Sequence, residues 1–405
     1  MHHLRCVNGR FLERIVPERV TEPAGMGFKR RRKNSVQGLG FSPDSIIFAI
    51  IFSPCKLKTT LMKTSERRFG TTEGASEISE EVFSETSEGS SETSELTSET
   101  TEQAFGFAEM VARLKSGGVR RRVALVCPDD GHTLYVLKRA VGEGVADFTL
   151  FCGRPLSDEV GSLVRTNARH MAAVCAESPD EAARAAVEAV RGGGADLLMK
   201  GTINTDNLLR AVLDKQKGLL EPGGVLTHVA LAELPGYRKG LLAFSDAAVI
   251  PFPTLVQYDA MVRHLAAIAR IAGAEEPKIA LVHCTEKVSE KFPLTLNYET
   301  LMQRAAHGDY GRVEMDGPMD VKTALDTASG DIKGLHSPVV GRADALVFPD
   351  IEAANVFYKT ITLFAQASIA GVLCGTTAPV VVASRADSGE SKYNSLALAC
   401  ALAGA

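Results

Sequence analysis

The sequence predicts an α/β protein with a mainly parallel sheet, and three observations lead to that class. From Arg122 onward, short apolar runs alternate with amphipathic stretches, which is typical of βα units. Two of the apolar runs end in polar loops that lead into a helix, the usual place of a binding site in such a sheet. The chain has 405 residues, 45% of them hydrophobic, so it can bury a core large enough for two lobes.

Nine apolar runs are the candidate strands of this sheet. In chain order they are residues 123–127, 148–152, 171–175, 196–199, 240–244, 278–283, 345–348, 372–374 and 380–383. Between the third and fourth runs, Ser178 is a suitable N-cap, with Pro179 at the first helical position and Glu181 at the third, so we expect a helix there. The sequence MDGP, 315–318, predicts a tight turn at which proline stops a strand.

Composition argues against several other classes of protein. A formal net charge of -4 leaves no basic surface for nucleic acid, and the basic run at 29–33 is typical of a solvated tail. The eight cysteines form no CxxC pair and have no histidine at ligand spacing, which indicates neither a zinc site nor a disulfide framework. We expect a cytoplasmic protein with no nucleic-acid or membrane partner.

The first hundred residues differ from the rest. The apolar run at 46–52 has seven residues, whereas a bilayer span needs about 20. From Thr71 to Gln103 the chain is mostly Ser, Glu and Thr, which cannot bury enough apolar area to offset chain entropy. We therefore interpret residues 1–103 as a disordered, low-complexity leader. Met62 begins the sequence MKTSERRFG, and a translation start there is a second hypothesis.

The segment SRADSGESK, 384–392, is the most informative motif. It places a hydroxyl, a guanidinium and two carboxylates directly after the apolar run PVVVA, where a strand leads into a helix N-terminus that favours an anion. An alternative is an ordinary capping box, since Asp387 and Glu390 stand three residues apart. That alternative does not account for Arg385, whose planar fork suits bidentate binding of phosphate or carboxylate.

A second polar loop, KGTINTD at 200–206, also follows an apolar run. It can be a simple βα turn in which Asn204 or Thr205 caps the next helix. If the two loops converge, their backbone N–H groups, hydroxyls and the charges of Lys200 and Arg385 would form an anion pocket.

Five segments together resemble the phosphate acetyl/butyryltransferase family, from about Arg122 to the C-terminus. They match in order and spacing, and they are LLMKGTINTDNLLRAVL (197–213), LTHVALAELPGY (226–237), MDGPMD (315–320), SPVVGRADALVFPDIEAANVFYK (337–359) and SRADSGESK. The MKG and NTD pattern and the SRADS ending are more similar to the phosphate butyryltransferase branch.

This resemblance implies a layout and a reaction. Two α/β domains, 104–220 plus 371–405 and 221–370, would enclose a cleft, in an architecture shared with isocitrate and isopropylmalate dehydrogenases. The protein would move a short acyl group between coenzyme A and inorganic phosphate as a homo-oligomer, with coenzyme A as substrate and with no cofactor or metal. A phosphate acetyltransferase is the alternative within the family. A second alternative is a dehydrogenase of the same architecture, which the lack of a GxGxxG motif disfavours. A third is a non-catalytic member of the family that binds coenzyme A.

The resemblance also implies site residues. Ser384 would donate a hydrogen bond to the tetrahedral oxyanion, Arg385 would hold phosphate with Lys200, and either Asp387 or Glu390 would be the general base. The remaining substrate-binding candidates are Gly201, Thr202, Asn204, Thr205, Arg210, Asn355 and Lys359. His228 ranks first among the histidines because it lies in a family segment.

Three positions depart from the acetyltransferase branch. That branch has an aspartate seven residues after the serine, where this chain has Ser391, and an arginine where this chain has Leu363. The acidic residue that commonly follows the DGP turn is Lys322 in this chain. Loss of a charge near the cleft would favour a longer apolar acyl group.

Deletion of residues 1–103 is expected to leave thermal stability and activity unchanged, because a segment of this composition contributes no core. Thermal melting and an enzyme assay, each carried out on the full-length and the shortened chain, measure the effect on stability and on activity. Loss of soluble enzyme on deletion would show that the leader packs against the body.

Overall fold

The computed structural model describes residues 105–237, 239–384 and 387–405. The predicted leader and Arg385 therefore lie outside the described residues. Within the described ranges, every helix is too short or too polar to span a bilayer.

Eleven strands in the described part of the chain form one sheet. They are β1 (Arg121–Val126), β2 (Ala146–Cys152), β3 (Met171–Cys175), β4 (Leu197–Lys200), β5 (Thr227–Glu233), β6 (Leu241–Ser245), β7 (Lys278–Val282), β8 (Glu314–Met319), β9 (Ala345–Val347), β10 (Ser368–Cys374) and β11 (Val380–Val381). The spatial order is β3-β2-β1-β4-β11-β10-β5-β6-β9-β7-β8. All neighbours are parallel except the pairs of β10 with β11, β10 with β5 and β5 with β6. The predicted α/β class with a mainly parallel sheet is confirmed.

Eleven helices connect and cover these strands in the same ranges. They are α1 (Phe107–Ser116), α2 (Gly131–Gly142), α3 (Asp158–Thr166), α4 (Pro179–Arg191), α5 (Thr205–Val212), α6 (Leu255–Ile271), α7 (Leu294–His307), α8 (Val321–Leu325), α9 (Thr327–Lys333), α10 (Ile351–Phe364) and α11 (Gly389–Leu402). Helix α4 begins as predicted, because the Ser178 side chain accepts from the Glu181 N–H and Pro179 stands at the first helical position.

Each of the nine predicted strands overlaps an observed strand. Most of them are central strands covered on both faces, whose sequences are continuously apolar, whereas β3 lies at the sheet edge and is mostly exposed. All four residues of β4, including Lys200, are buried. Two strands were missed. Strand β5 lies inside a segment that the sequence singled out only as a motif, and β8 contains glycine and proline, which usually interrupt strands.

The prediction that MDGP is a turn at which a strand stops is wrong. Strand β8 continues through Gly317 and Pro318 to Met319. It is the last strand of the sheet, and an edge strand tolerates a proline that has no N–H to donate. Gly317 has a φ of 152°, and a Cβ there would lie 2.7 Å from the Leu281 carbonyl oxygen, so glycine suits this position for both reasons.

The C-terminal strand and helix return to the first part of the sheet. Strand β11 lies parallel to β4, with Val381 opposite Met199, and β4 is paired with β1. Because parallel strands end at the same edge of a sheet, the loops after β4 and β11 lie side by side. The sheet runs unbroken through all eleven strands, and the division into two domains stays a prediction.

A buried ion pair fastens α11 to α2. Lys392 is 3% exposed, and its Nζ lies 3.0 Å from Oδ1 of Asp130, the N-cap of α2. Burial alone would raise the pKa of Asp130, but hydrogen bonds from Thr133 and Lys392 outweigh it and lower the pKa.

Lys392→Met is expected to lower the free energy of unfolding by about 2 kcal/mol, because it leaves a partly buried carboxylate without its cation. Lys138→Met is the matched control, since the Lys138–Glu159 pair is exposed on both sides and should contribute less than about 0.5 kcal/mol. Denaturant unfolding measures both, and equal losses would contradict the assigned role.

Candidate functional site

A cavity of about 900 Å³ opens where the loops after β4 and β11 meet. Strands β5 and β10 and the first turns of α10 complete its wall. Its polar lining is Lys200, Asn204, Thr205, Asp206, His228, Glu352, Asn355, Tyr358, Lys359, Ser384, Asp387, Ser391 and Ser395. Its apolar lining includes Ala247, Ala248, Pro251, Ile351, Val356, Ile369 and Val382.

Lys200 joins the two loops. Its Nζ donates to the Gly201 carbonyl at 3.2 Å and to the Ala383 carbonyl at 3.5 Å, so one buried ammonium contacts the end of β4 and the end of β11. The predicted convergence of the two loops is thus observed directly. A buried ammonium is stable only where oxygens surround it, and these two carbonyl oxygens belong to that surrounding.

The predicted residues of the loop after β4 have two roles, since some line the cavity and others shape the loop. Asn204 is the N-cap of α5, and it lines the cavity together with Thr205. Gly201 approaches the end of β1 so closely that a Cβ would lie 2.1 Å from the Cys127 carbonyl oxygen, and Thr202 donates to that same oxygen at 3.1 Å. These two residues shape the loop. Arg210 is exposed on α5, outside the lining.

The loop after β11 is closed by Asp387. Its Oδ2 accepts from the Ser384 N–H at 2.7 Å, and both residues line the cavity. The N-cap of α11 is Ser388, whose Oγ accepts from the Ser391 N–H at 3.1 Å. The capping box of Asp387 and Glu390 is therefore wrong, because the helix begins one residue later than that pattern requires.

Glu390 points away from the cavity. Its carboxylate accepts from the Tyr135 hydroxyl at 2.7 Å and pairs with Arg139 at 2.5 Å. Burial alone would raise the pKa of Glu390, but the hydrogen bonds from Arg139 and Tyr135 lower it. Glu390 thus links α2 to α11 as an ionised group.

Helix α10 supplies the opposite wall. Asn355 and Lys359 both line the cavity, as their four-residue spacing predicts, and Asn355 Nδ2 donates to the Ala247 carbonyl at 3.1 Å. Lys359 Nζ lies 4.1 Å from the centre of the Tyr358 ring. Burial and the nearby Asp387 raise the pKa of Tyr358 to about 12. Leu363, expected near the cleft, is 71% exposed and lies outside the lining.

Several cavity residues were not predicted from the sequence. Asp206 and Glu352 lie inside the segments 200–206 and 337–359 but were not among the candidate site residues, and Ser395 follows the last motif. An isolated polar residue on a helix is usually solvated, so residue type alone did not select them. His228 was ranked first among the histidines, and it lines the cavity from β5. Burial and the charge of Lys359 lower the pKa of His228 to about 4.

A model of the family described as Phosphate acetyl/butaryl transferase matches residues 154–400, more than half of the chain. The chain belongs to this family of enzymes. The resemblance drawn from the five sequence segments is confirmed, and the cavity loops at 200–206 and 384–391 lie inside the matched range.

Individual relatives agree with this membership. A phosphate acetyltransferase from Thermotoga maritima is 35% identical over 71% of this chain and 96% of its own length. A phosphate butyryltransferase from Clostridium acetobutylicum is 34% identical over 74% of this chain and 98% of its own length. A solved branched-chain phosphotransacylase from Enterococcus faecalis superposes with a TM-score of 0.61 at 29% identity, covering 70% of this chain and 99% of that chain.

Proposed function

We propose that this enzyme catalyses the reversible transfer of a short-chain acyl group between coenzyme A and inorganic phosphate. Acyl-CoA and phosphate give acyl phosphate and coenzyme A. Family membership supports the reaction type, and the convergence of two polar loops on one cavity, joined by Lys200, is the observation that carries it. The reaction as proposed uses no metal and no cofactor beyond coenzyme A as substrate.

Phosphate would bind where the positive groups of the cavity meet. Lys200 and Lys359 supply ammonium groups, and the N-terminus of α11 adds the positive end of a helix dipole. Arg385, between Ser384 and the start of α11 in the sequence, would add a bidentate contact. Ser384 lines the same cavity, and its hydroxyl would donate to the tetrahedral oxyanion.

The acyl-transfer step requires orientation and one proton transfer. A phosphate oxygen attacks the thioester carbonyl carbon, the carbon–sulfur bond breaks, and the thiolate that leaves takes up the proton that phosphate loses. Of the two carboxylates considered as base, Asp387 lines the cavity and Glu390 does not. We therefore assign the proton transfer to Asp387.

An apolar wall would receive the acyl chain. Ala247, Ala248, Pro251, Ile351, Val356 and Ile369 line the cavity, so a chain of four carbons could be buried beside the charged end. This wall, rather than Leu363, supports a butyryl or branched acyl group over acetyl. The branched-chain activity named for the Enterococcus faecalis protein favours the same choice.

We also propose a cytoplasmic homo-oligomer. The described cysteines are all free thiols, which suits a reducing compartment. Leu363 and Phe364 are exposed side by side at the end of α10, and burial of such residues against a second copy would remove apolar surface from water.

Asp387→Asn is expected to lower kcat by about 100-fold or more and to flatten the pH dependence of the rate, because an amide cannot accept the proton. The amide oxygen can still accept from the Ser384 N–H, so the loop should keep its shape. Glu390→Gln is the matched control and should keep kcat within about threefold. Steady-state kinetics against pH tests the pair, and equal losses in both variants would rule out Asp387 as base.

Release of the coenzyme A thiol from acetyl-, propionyl-, butyryl- and isobutyryl-CoA with saturating phosphate tests the reaction and the acyl wall together. We expect phosphate-dependent release, with kcat/KM rising roughly fourfold for each added methylene up to butyryl. Highest efficiency with acetyl-CoA would leave the reaction type intact and make the enzyme a phosphate acetyltransferase. No phosphate-dependent release with any of the four would refute the proposed function.

A further inference from the structure

The imidazole ring of His228 occupies space in the cavity that is free because the neighbouring residue, Gly371, has no side chain. His228 lies on β5 opposite Leu373 of β10, and Gly371, two residues before Leu373, lines the same cavity. A Cβ at position 371 would lie 2.8 Å from Nε2 of His228. Glycine at this position therefore leaves room for the imidazole, and Nε2 is the ring nitrogen on the Gly371 side.

The other ring nitrogen decides which tautomer is present. Nδ1 of His228 is closed to solvent and has no hydrogen-bond partner in the described ranges. A proton on Nδ1 would create a buried N–H with nothing to accept it, which is less tolerable than a bare acceptor nitrogen. The neutral ring should therefore carry its proton on Nε2.

The same buried nitrogen keeps the ring neutral. Imidazolium would carry protons on both nitrogens, so charging His228 would add an unpaired Nδ1–H to the cost of a buried charge. Burial and Lys359 accordingly hold the pKa of His228 at about 4, well below neutral pH. Among the charged or titratable groups near it, Asp246 accepts at Oδ2 from the backbone N–H of His228 at 2.8 Å. Lys200, Tyr358, Lys359 and Asp387 line the same cavity.

We propose that His228 is a neutral hydrogen-bond donor whose Nε2–H binds the acyl carbonyl oxygen and stabilises the negative charge that develops there. This assignment rests on the proposed acyl transfer. A neutral donor with a fixed tautomer suits an oxygen that becomes anionic only in the transition state.

The charge state of the ring favours the carbonyl oxygen over phosphate. Lys200 and Lys359 carry the positive charges proposed to bind the phosphate dianion, and burial together with the charge of Lys359 lowers the pKa of His228. A neutral donor beside Gly371 is therefore better suited to the uncharged carbonyl oxygen. When phosphate attacks, the carbonyl π electrons move onto this oxygen, and they return as the carbon–sulfur bond breaks. The Nε2 proton stays on His228 throughout, so the step needs no further proton acceptor.

A pair of substitutions separates a donor from a base. His228→Leu removes the donor and should lower kcat by about 100- to 1000-fold, with the KM values for acyl-CoA and phosphate within about threefold of wild type. His228→Gln keeps an N–H donor at similar reach but cannot accept a proton, and it should restore kcat to within about tenfold of wild type. The pH profile of the Gln variant should match that of wild type.

A second histidine provides the matched control. His264 is largely buried beside Thr227, with 2.8 Å between its Nδ1 and the Thr227 Oγ1, and it lies outside the cavity lining. His264→Leu should lower thermal stability but leave kcat per folded enzyme unchanged. Thermal melting of all variants confirms that the kinetic comparison is made on folded protein.

Three results would overturn the assignment. If the His228→Gln variant is as inactive as the His228→Leu variant and the acid limb of the pH profile disappears, His228 is a base. If the KM for phosphate rises in both variants while kcat stays at the wild-type value, the ring binds phosphate. If the Leu variant is as active as wild type, the ring has no part in the reaction. Absence of acyl transfer in the wild-type enzyme would instead refute the proposed function, so the two failures are distinguishable.

Discussion

The site depends on one buried ammonium group at the junction of two parallel strands. Strands β1, β4 and β11 are neighbours, so the loops that follow β4 and β11 leave the sheet at the same edge. Lys200 bonds to a carbonyl of each loop, and this shared contact fixes their separation. An ammonium group taken out of water is stable only where oxygens surround it, and these two carbonyl oxygens belong to that surrounding.

Each side of the site is supported by contacts within the protein. Gly201 and Thr202 hold the first loop against the end of β1, while Asp387, which also lines the cavity, closes the second loop on the Ser384 amide. Farther along α11, Glu390 and Lys392 bond to residues of α2. Charged residues of one short motif therefore divide into those that line the cavity and those that hold the helix in place.

Residue type and spacing were enough to find the site but not to assign its roles. The pattern of an apolar run followed by hydroxyl and charged residues identified both loops, because a strand end beside a helix N-terminus is chemically suited to anions. It could not distinguish Asp387 from Glu390, since the capping-box pattern places the helix start one residue too early. In the structure Asp387 lies in the loop before the N-cap Ser388, whereas Glu390 lies in the first turn of α11, so the two do not share a helix face. The expectation that Leu363 lies near the cleft was wrong, because Leu363 is in the last turn of α10, beyond the part of the helix that faces the cavity.

The sequence by itself determined the α/β class, nine strand positions, the cap of α4 and the family, because continuous apolar runs and local capping are properties of short segments. Only the tertiary structure decided that β11 inserts beside β4, that β8 passes through a proline at the sheet edge, and that Glu390 turns toward α2. The role proposed for His228 also rests on tertiary contacts. Its tautomer and charge follow from a glycine on another strand and from a nitrogen closed off from water, and both depend on contacts between residues far apart in the chain.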